Sequence, residues 1–131
     1  MQIALIAQDD KKELMAQLCI AYCGILSKHK LCATATTGRI ISEATGLDVE
    51  LLLSGEHGGI QQIASRISYD EIDILFYFRS TANDENYDAV ATNLTRLCDV
   101  YNLPIATNLA TAEAIILALD RGDLDWRENI R

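Results

Sequence analysis

Five short apolar runs constrain this chain more than anything else in it: Ile3–Ala7, Leu31–Ala35, Val49–Leu53, Ile72–Phe78 and Leu103–Thr107. A short continuous apolar run bounded by polar residues suits a strand buried on both faces. Between the runs the spacing turns helical. Leu14, Leu18, Tyr22, Ile25 and Leu26 recur on one face as far as His29. Arg39–Ala44 reads as a second helix closed by Gly46. Ile60, Ile63, Ala64 and Ile67 form a third helix face, and Val90, Leu94, Leu97, Cys98 and Tyr101 a fourth. A last helix runs from Thr111 to about Arg121 and closes at Gly122. Strands alternating with helices predict a mainly parallel five-stranded sheet with helices on both faces, a doubly wound, flavodoxin-like α/β fold. At 131 residues the chain is long enough for one domain and short for two, so residues 1–131 are expected to form a single unit.

In such sheets ligands sit beyond the carboxyl ends of the strands, near a switch in strand order. Polar residues follow each run there: Gln8-Asp9, Thr36-Thr37, Ser54-Gly55, Arg79-Ser80 and Asn108. The stretch Leu31–Gly59 carries two such turns, at Thr34–Gly38 and Ser54–Gly59. A first helical turn has unpartnered N–H groups and the positive end of the helix dipole, so an anion can rest on it. Hydroxyls add donors, and glycine lets the backbone approach. Thr36 or Thr37 capping the helix is the competing reading. Asp9 or Asp10 is placed to cap the first helix, and Lys11-Lys12 in its first turn oppose the dipole, which hints at a ligand. The polar segment Arg79–Asp88 reads as a loop, and Asp123–Arg131 as a charged tail or oligomer arm.

The net charge of −8, with no basic stripe, argues against nucleic acid and anionic membrane as partners. Lys11, Lys12 and Arg39 are the local cations for an anion site. No run approaches the roughly 20 apolar residues that span a bilayer. The start, Met1-Gln2-Ile3, lacks a basic segment, so no signal peptide is expected. Cys19, Cys23, Cys32 and Cys98 form no C-x-x-C pair and lie in apolar patterns. Reduced, packed thiols in a cytoplasmic protein follow, with no metal site and no cofactor.

The segments IALIAQDDKK, ATATTGRIISEATGLDV, LLSGEHGGIQQI, IDILFYF and RLCDVYNLPIATNLATAE through LDRGDLDWR, in that order, make the chain resemble the methylglyoxal synthase family. The resemblance covers nearly the whole chain. It implies an enzyme that converts dihydroxyacetone phosphate to methylglyoxal and phosphate: a carboxylate removes a proton beside the carbonyl, an enediolate forms, and phosphate leaves. It also implies a homohexamer. The family's phosphate-binding lysine matches Lys12, its threonines Thr34, Thr36 and Thr37 with Ala35 between them, and its serine-glycine turn Ser54-Gly55. Asp9 matches the aspartate of the family's first loop.

The reacting end departs from the family. Its Gly-Gly-Asp-Gln turn, whose aspartate is the base, reads Gly58-Gly59-Ile60-Gln61 here. Gln8 stands for a histidine, Ser80-Thr81 for Asp-Pro, and Tyr87 and Val90 for a histidine and an aspartate. Gln8 and Tyr87 remain secondary candidates for binding. The expected function is therefore a homologue that holds a small phosphorylated metabolite or inorganic phosphate, with the lyase activity lost or strongly reduced. Two alternatives stay open. One is an active lyase with Glu56 or His57 as replacement base, Asp9 being a further catalytic candidate. The other is a structural or regulatory subunit of an oligomer.

Overall fold

The computed structural model describes residues 1–82 and 85–130, with only the backbone described for residues 85–88. The strands are β1 (Gln2–Ala7), β2 (Lys30–Ala33), β3 (Val49–Leu51), β4 (Ile74–Phe78) and β5 (Ile105–Ala106). They lie in the order β3-β2-β1-β4-β5, and every ladder is parallel. The doubly wound class is as expected, and the order places the switch point between β1 and β4, rather than between β1 and β3 as in flavodoxin itself.

The helices are α1 (Lys12–Ala21), α2 (Cys23–Leu26), α3 (Ala35–Thr45), α4 (Gly59–Ser68), α5 (Glu85–Val100), α6 (Leu109–Asp120) and α7 (Trp126–Asn129). Side chains alternate across the sheet because a strand has a period of two. Ile3, Leu5 and Ala7 of β1 therefore enter one core, with Met15, Leu18, Leu26, Ile41 and Ile116 of α1, α2, α3 and α6. Ala4 and Ile6 enter the other, with Ile63, Ile67 and Leu94 of α4 and α5. With both faces of β1 covered, its run shows no polar alternation.

Several boundaries differ from those the sequence predicts. The first long helix is two. Tyr22 leaves helical geometry (φ −114°, ψ 26°), and its carbonyl then accepts from the N–H groups of Ile25 and Leu26, opening α2. Cys23 and Gly24, both weak helix formers, follow the break. Neither Asp9 nor Asp10 caps α1. The two acids sit in a 3-10 turn, Asp9–Lys11, and the Asp9 carboxylate bonds to Lys12 instead. Helix α3 begins at Ala35, well before Arg39, and its N-cap is Thr34, which makes no side-chain cap bond. Thr36 and Thr37 are thus helical, not caps. Gly38 is tolerated inside α3 because the helix presses on the sheet: a Cβ there would lie 2.4 Å from Leu51 Cδ2.

Helix α5 starts at Glu85, inside the segment that reads as a loop. The C-terminal stretch is not a free tail either. Arg127 of α7 is 5% exposed, and its guanidinium lies 3.7 Å from the carboxylate of Asp73, itself 1% exposed. Arg127 also donates to the Asn102 carbonyl, and the other Asp73 oxygen accepts from the Gln2 N–H at 2.7 Å. No helix among the described residues is long and apolar enough to cross a membrane.

All four cysteines are unpaired. Burial pushes the Cys19 thiol up to about 12, and Cys32 and Cys98 up to about 11. Cys23 is half-buried, its thiol donating to the Thr45 carbonyl at 3.8 Å. An alkylating reagent at pH 8 should therefore label Cys23 first and the other three only as the protein unfolds, since the thiolate is the nucleophile. Peptide mass spectrometry over a urea series checks this; equal labelling in the native state would contradict it.

Candidate functional site

The carboxyl ends of β1, β2 and β3 open into a cleft of about 450 Å³. A larger hollow of about 640 Å³ lies at the opposite edge of the sheet, around His29, Lys30 and Asp48, away from every strand-end turn. Ligand sites in this class of sheet lie at the carboxyl edge, so the smaller cleft is the candidate.

From β1 come Gln8, Asp9 and Lys12. The Lys12 ammonium donates to the Ala7 carbonyl and to Asp9 Oδ1, each at 2.8 Å. Lys12 is mostly covered and Asp9 almost fully exposed. The Lys12 hydrogen bond and charge together hold the Asp9 carboxyl below the usual carboxylate range. Gln8 donates its amide to Tyr77 Oη at 2.8 Å.

From β2 come Thr34, buried, and Thr36, exposed on the cleft wall. The first helical bond of α3 runs from the Gly38 N–H to the Thr34 carbonyl at 2.8 Å. The N–H groups of Thr36 and Thr37 precede it and have no partner within the helix. Ala35 and Thr37 stand behind the wall. The Ala35 N–H donates to the Leu53 carbonyl at 3.3 Å, and the Thr37 hydroxyl donates to the Ala7 carbonyl at 3.5 Å.

From β3 come Ser54, Gly55, Glu56 and Ile60. This turn is tightly specified. The Ser54 carbonyl accepts from both His57 and Gly59 N–H groups, and Gly58 sits at φ +106°. A Cβ on Gly59 would lie 1.9 Å from the Leu53 carbonyl oxygen, so only glycine fits. Ser54 Oγ lies 2.6 Å from His57 Nδ1. His57 is thus held by Ser54 and does not line the cleft, whereas the exposed Glu56 does. Ile60 is half-buried beside the turn; a Cβ on Gly55 would lie 3.7 Å from Ile60 Cδ1.

Three expected contributors lie elsewhere. The Ser80 hydroxyl donates to Asp10 at 3.0 Å, Asn108 caps α6 by accepting from the Thr111 N–H at 3.0 Å, and Arg79 lines a separate shallow depression with Arg96 and Asp99. The side chain of Tyr87 lies outside the described residues. Val90 of α5 closes the far wall. Two positioning residues escape the sequence reading. Gln62 accepts from the Leu53 N–H at 2.8 Å and so fixes the Ser54 turn, and Tyr77 receives Gln8. Gln62 reads as one of several polar residues on a helix face, and Tyr77 as one apolar residue in a strand.

Among the described lining residues, Lys12 is one cation beside two carboxylates, Asp9 and Glu56. An incoming anion must compete with Asp9 for the ammonium. Asp9→Asn should therefore tighten inorganic phosphate binding by about three- to fivefold, the scale of an exposed ion pair. Calorimetric titration measures it, and weaker binding would mean that Asp9 holds Lys12 in place for the anion.

A profile of the MGS-like domain matches residues 17–107. The chain is 58% identical over 128 residues to a methylglyoxal synthase of Caldicellulosiruptor saccharolyticus, covering 98% of this chain and 91% of that relative. It is 49% identical over 128 residues to a methylglyoxal synthase of Listeria welshimeri, covering 98% of this chain and 96% of that one. The crystal structure of methylglyoxal synthase from Elizabethkingia anophelis matches with a TM-score of 0.79 at 38% identity, over 88% of this chain and 76% of that chain.

Proposed function

Since the chain belongs to the methylglyoxal synthase-like family, we propose that its cleft binds a small phosphorylated metabolite or inorganic phosphate while the family reaction is lost or strongly slowed. In this reading residues 1–131 act as one methylglyoxal synthase-like domain. Lys12 supplies charge, the first turn of α3 supplies N–H donors and the Thr34 and Thr36 hydroxyls, and the Ser54-Gly55 turn closes on the anion. Thr37 and Ala35 support the grip from behind, through the Ala7 and Leu53 carbonyls.

The observation that carries the reading is Ile60. Removing a proton from carbon needs a base within about 2.6–3.2 Å of it. Ile60 lines the cleft where the resemblance places that base, and it has no atom that accepts a proton. Asp9 is engaged by Lys12, and His57 by Ser54. The chain is proposed to act in the cytoplasm as a homo-oligomer, a hexamer by the resemblance, without a cofactor.

Glu56 favours a second reading, because it is a carboxylate on the cleft wall. An active lyase would use it as base. Incubating the protein with dihydroxyacetone phosphate, with methylglyoxal trapped enzymatically, tests both. The first reading expects binding of the triose phosphate and no turnover above background. Turnover that disappears in Glu56→Gln would establish the second.

A further inference from the structure

Ser54 and His57 form a pair whose chemistry anion binding alone does not use. Ser54 heads the short 3-10 turn Gly55–His57, a position where a serine hydroxyl ordinarily caps, yet it makes no cap bond. Its Oγ lies 2.6 Å from His57 Nδ1 instead. With the ring proton on Nε2, Nδ1 accepts from the hydroxyl, which is the arrangement of a nucleophile beside its base. The serine lines the cleft and the histidine does not, so the base stands behind the nucleophile, away from a bound anion. The turn that carries both is fixed. The Ser54 carbonyl accepts from the His57 N–H at 3.0 Å and the Gly59 N–H at 2.9 Å, and Gln62 accepts from the Leu53 N–H at 2.8 Å.

Strand order sets the direction of attack. Because β2 lies between β3 and β1, the Thr34–Thr36 turn stands between Ser54 and Lys12. A phosphoryl group resting on the first turn of α3 therefore has the serine on one flank and the ammonium on the other. In-line displacement by Ser54 Oγ sends the leaving oxygen toward Lys12.

We infer that Ser54 accepts a phosphoryl group from an acyl phosphate, with His57 as base; the inference rests on the phosphate reading of the grip. The Oγ–P bond forms as the bond from phosphorus to the acyl oxygen breaks, and the carboxylate leaves with that electron pair. The hydroxyl proton passes to His57 Nδ1, and the imidazolium returns a proton to solvent, to which His57 is exposed. The donor class follows from the leaving side. A departing carboxylate needs no proton, whereas an alkoxide does. Asp9 and Glu56 line the cleft as carboxylates, and the Lys12 ammonium already donates to the Ala7 carbonyl and to Asp9. An ammonium offsets charge on a departing oxygen but is a weak acid at neutral pH. Triose phosphates are therefore not donors, and the phosphoserine, itself an alkyl ester, persists.

The test incubates the wild-type chain with acetyl phosphate and follows intact mass and peptide maps. Ser54 should gain a phosphoryl group, and excess inorganic phosphate should slow the gain by occupying the grip. Ser54→Ala should remove the label from that peptide. His57→Gln, shown by calorimetry still to bind inorganic phosphate, should slow labelling about 10²-fold, the lower end for a positioned base. Dihydroxyacetone phosphate in place of acetyl phosphate should leave Ser54 unlabelled, and equal labelling would overturn the donor class. If inorganic phosphate binds the wild type but Ser54 stays unlabelled, the inference is overturned and the grip stands. If inorganic phosphate does not bind, the grip reading and the inference fall together. Labelling as fast in His57→Gln as in the wild type, or indifferent to inorganic phosphate, would also overturn the inference.

Discussion

Ile60→Asp should raise methylglyoxal formation from dihydroxyacetone phosphate about 10²-fold over the wild-type chain. The position lies on the cleft wall, half-buried, next to the Ser54-Gly55 turn. A carboxylate placed there meets an apolar surrounding that disfavours its charged form and so raises its pKa toward the working pH, which suits a general base. A positioned base contributes about 10²–10⁴ in rate. The lower figure is expected because Gln8 and Val90 still offer no acid or base beside it, and effects of residues that act as a unit are not additive. The substitution should cost about 1–3 kcal/mol of stability, since a half-buried apolar side chain becomes polar. A coupled assay with purified variant and wild type checks the rate. An unchanged rate in a folded, phosphate-binding variant would contradict the proposal that Ile60 limits the reaction.

Arg127→Ala should destabilise the fold by about 3–4 kcal/mol, the scale of breaking a buried ion pair from one side. Asp73 is 1% exposed and would lose the Arg127 guanidinium beside it. The Asn102 carbonyl, in the turn that leads from α5 to β5, would lose its donor as well. Because Asp73 also receives the Gln2 N–H, the arginine ties the last helix to the first strand and to the start of β4. The exposed pair Arg121–Asp123 provides the contrast: Arg121→Ala should change stability by less than about 1 kcal/mol, because solvent screens it. Urea unfolding of the three proteins distinguishes the two. Equal midpoints for wild type and Arg127→Ala would show that the C-terminal helix contributes nothing to the native state.

These two positions mark where the sequence was legible and where it was not. The alternation of apolar runs and helical spacing predicts the five strands and the two-faced sheet, because burial on both faces leaves its mark on every residue of a central strand. β1 and β4 show it best, with every residue from Ile3 to Ala7 and from Ile74 to Phe78 buried. The strand-end turns follow from the same logic, and the cleft gathers Lys12, Thr34, Thr36, Ser54 and Gly55. Ile60 is visible only against a family pattern; as a lone residue it is one apolar position on a helix face. Arg127 was illegible because a charged C-terminal segment looks alike whether solvated or docked. Its one sign was Asp73, a carboxylate at the head of an apolar strand. The onset of α3 at Ala35 was hidden by Gly38, which ordinarily weakens a helix but here packs close to Leu51 and Ala33.

The proposed phosphate binding and the proposed loss of turnover can be read together by phosphorus-31 NMR of dihydroxyacetone phosphate mixed with the wild-type protein. The account predicts that the ester resonance shifts or broadens with protein concentration while no inorganic phosphate resonance grows. Steady accumulation of inorganic phosphate, or an ester resonance indifferent to the protein, would contradict it.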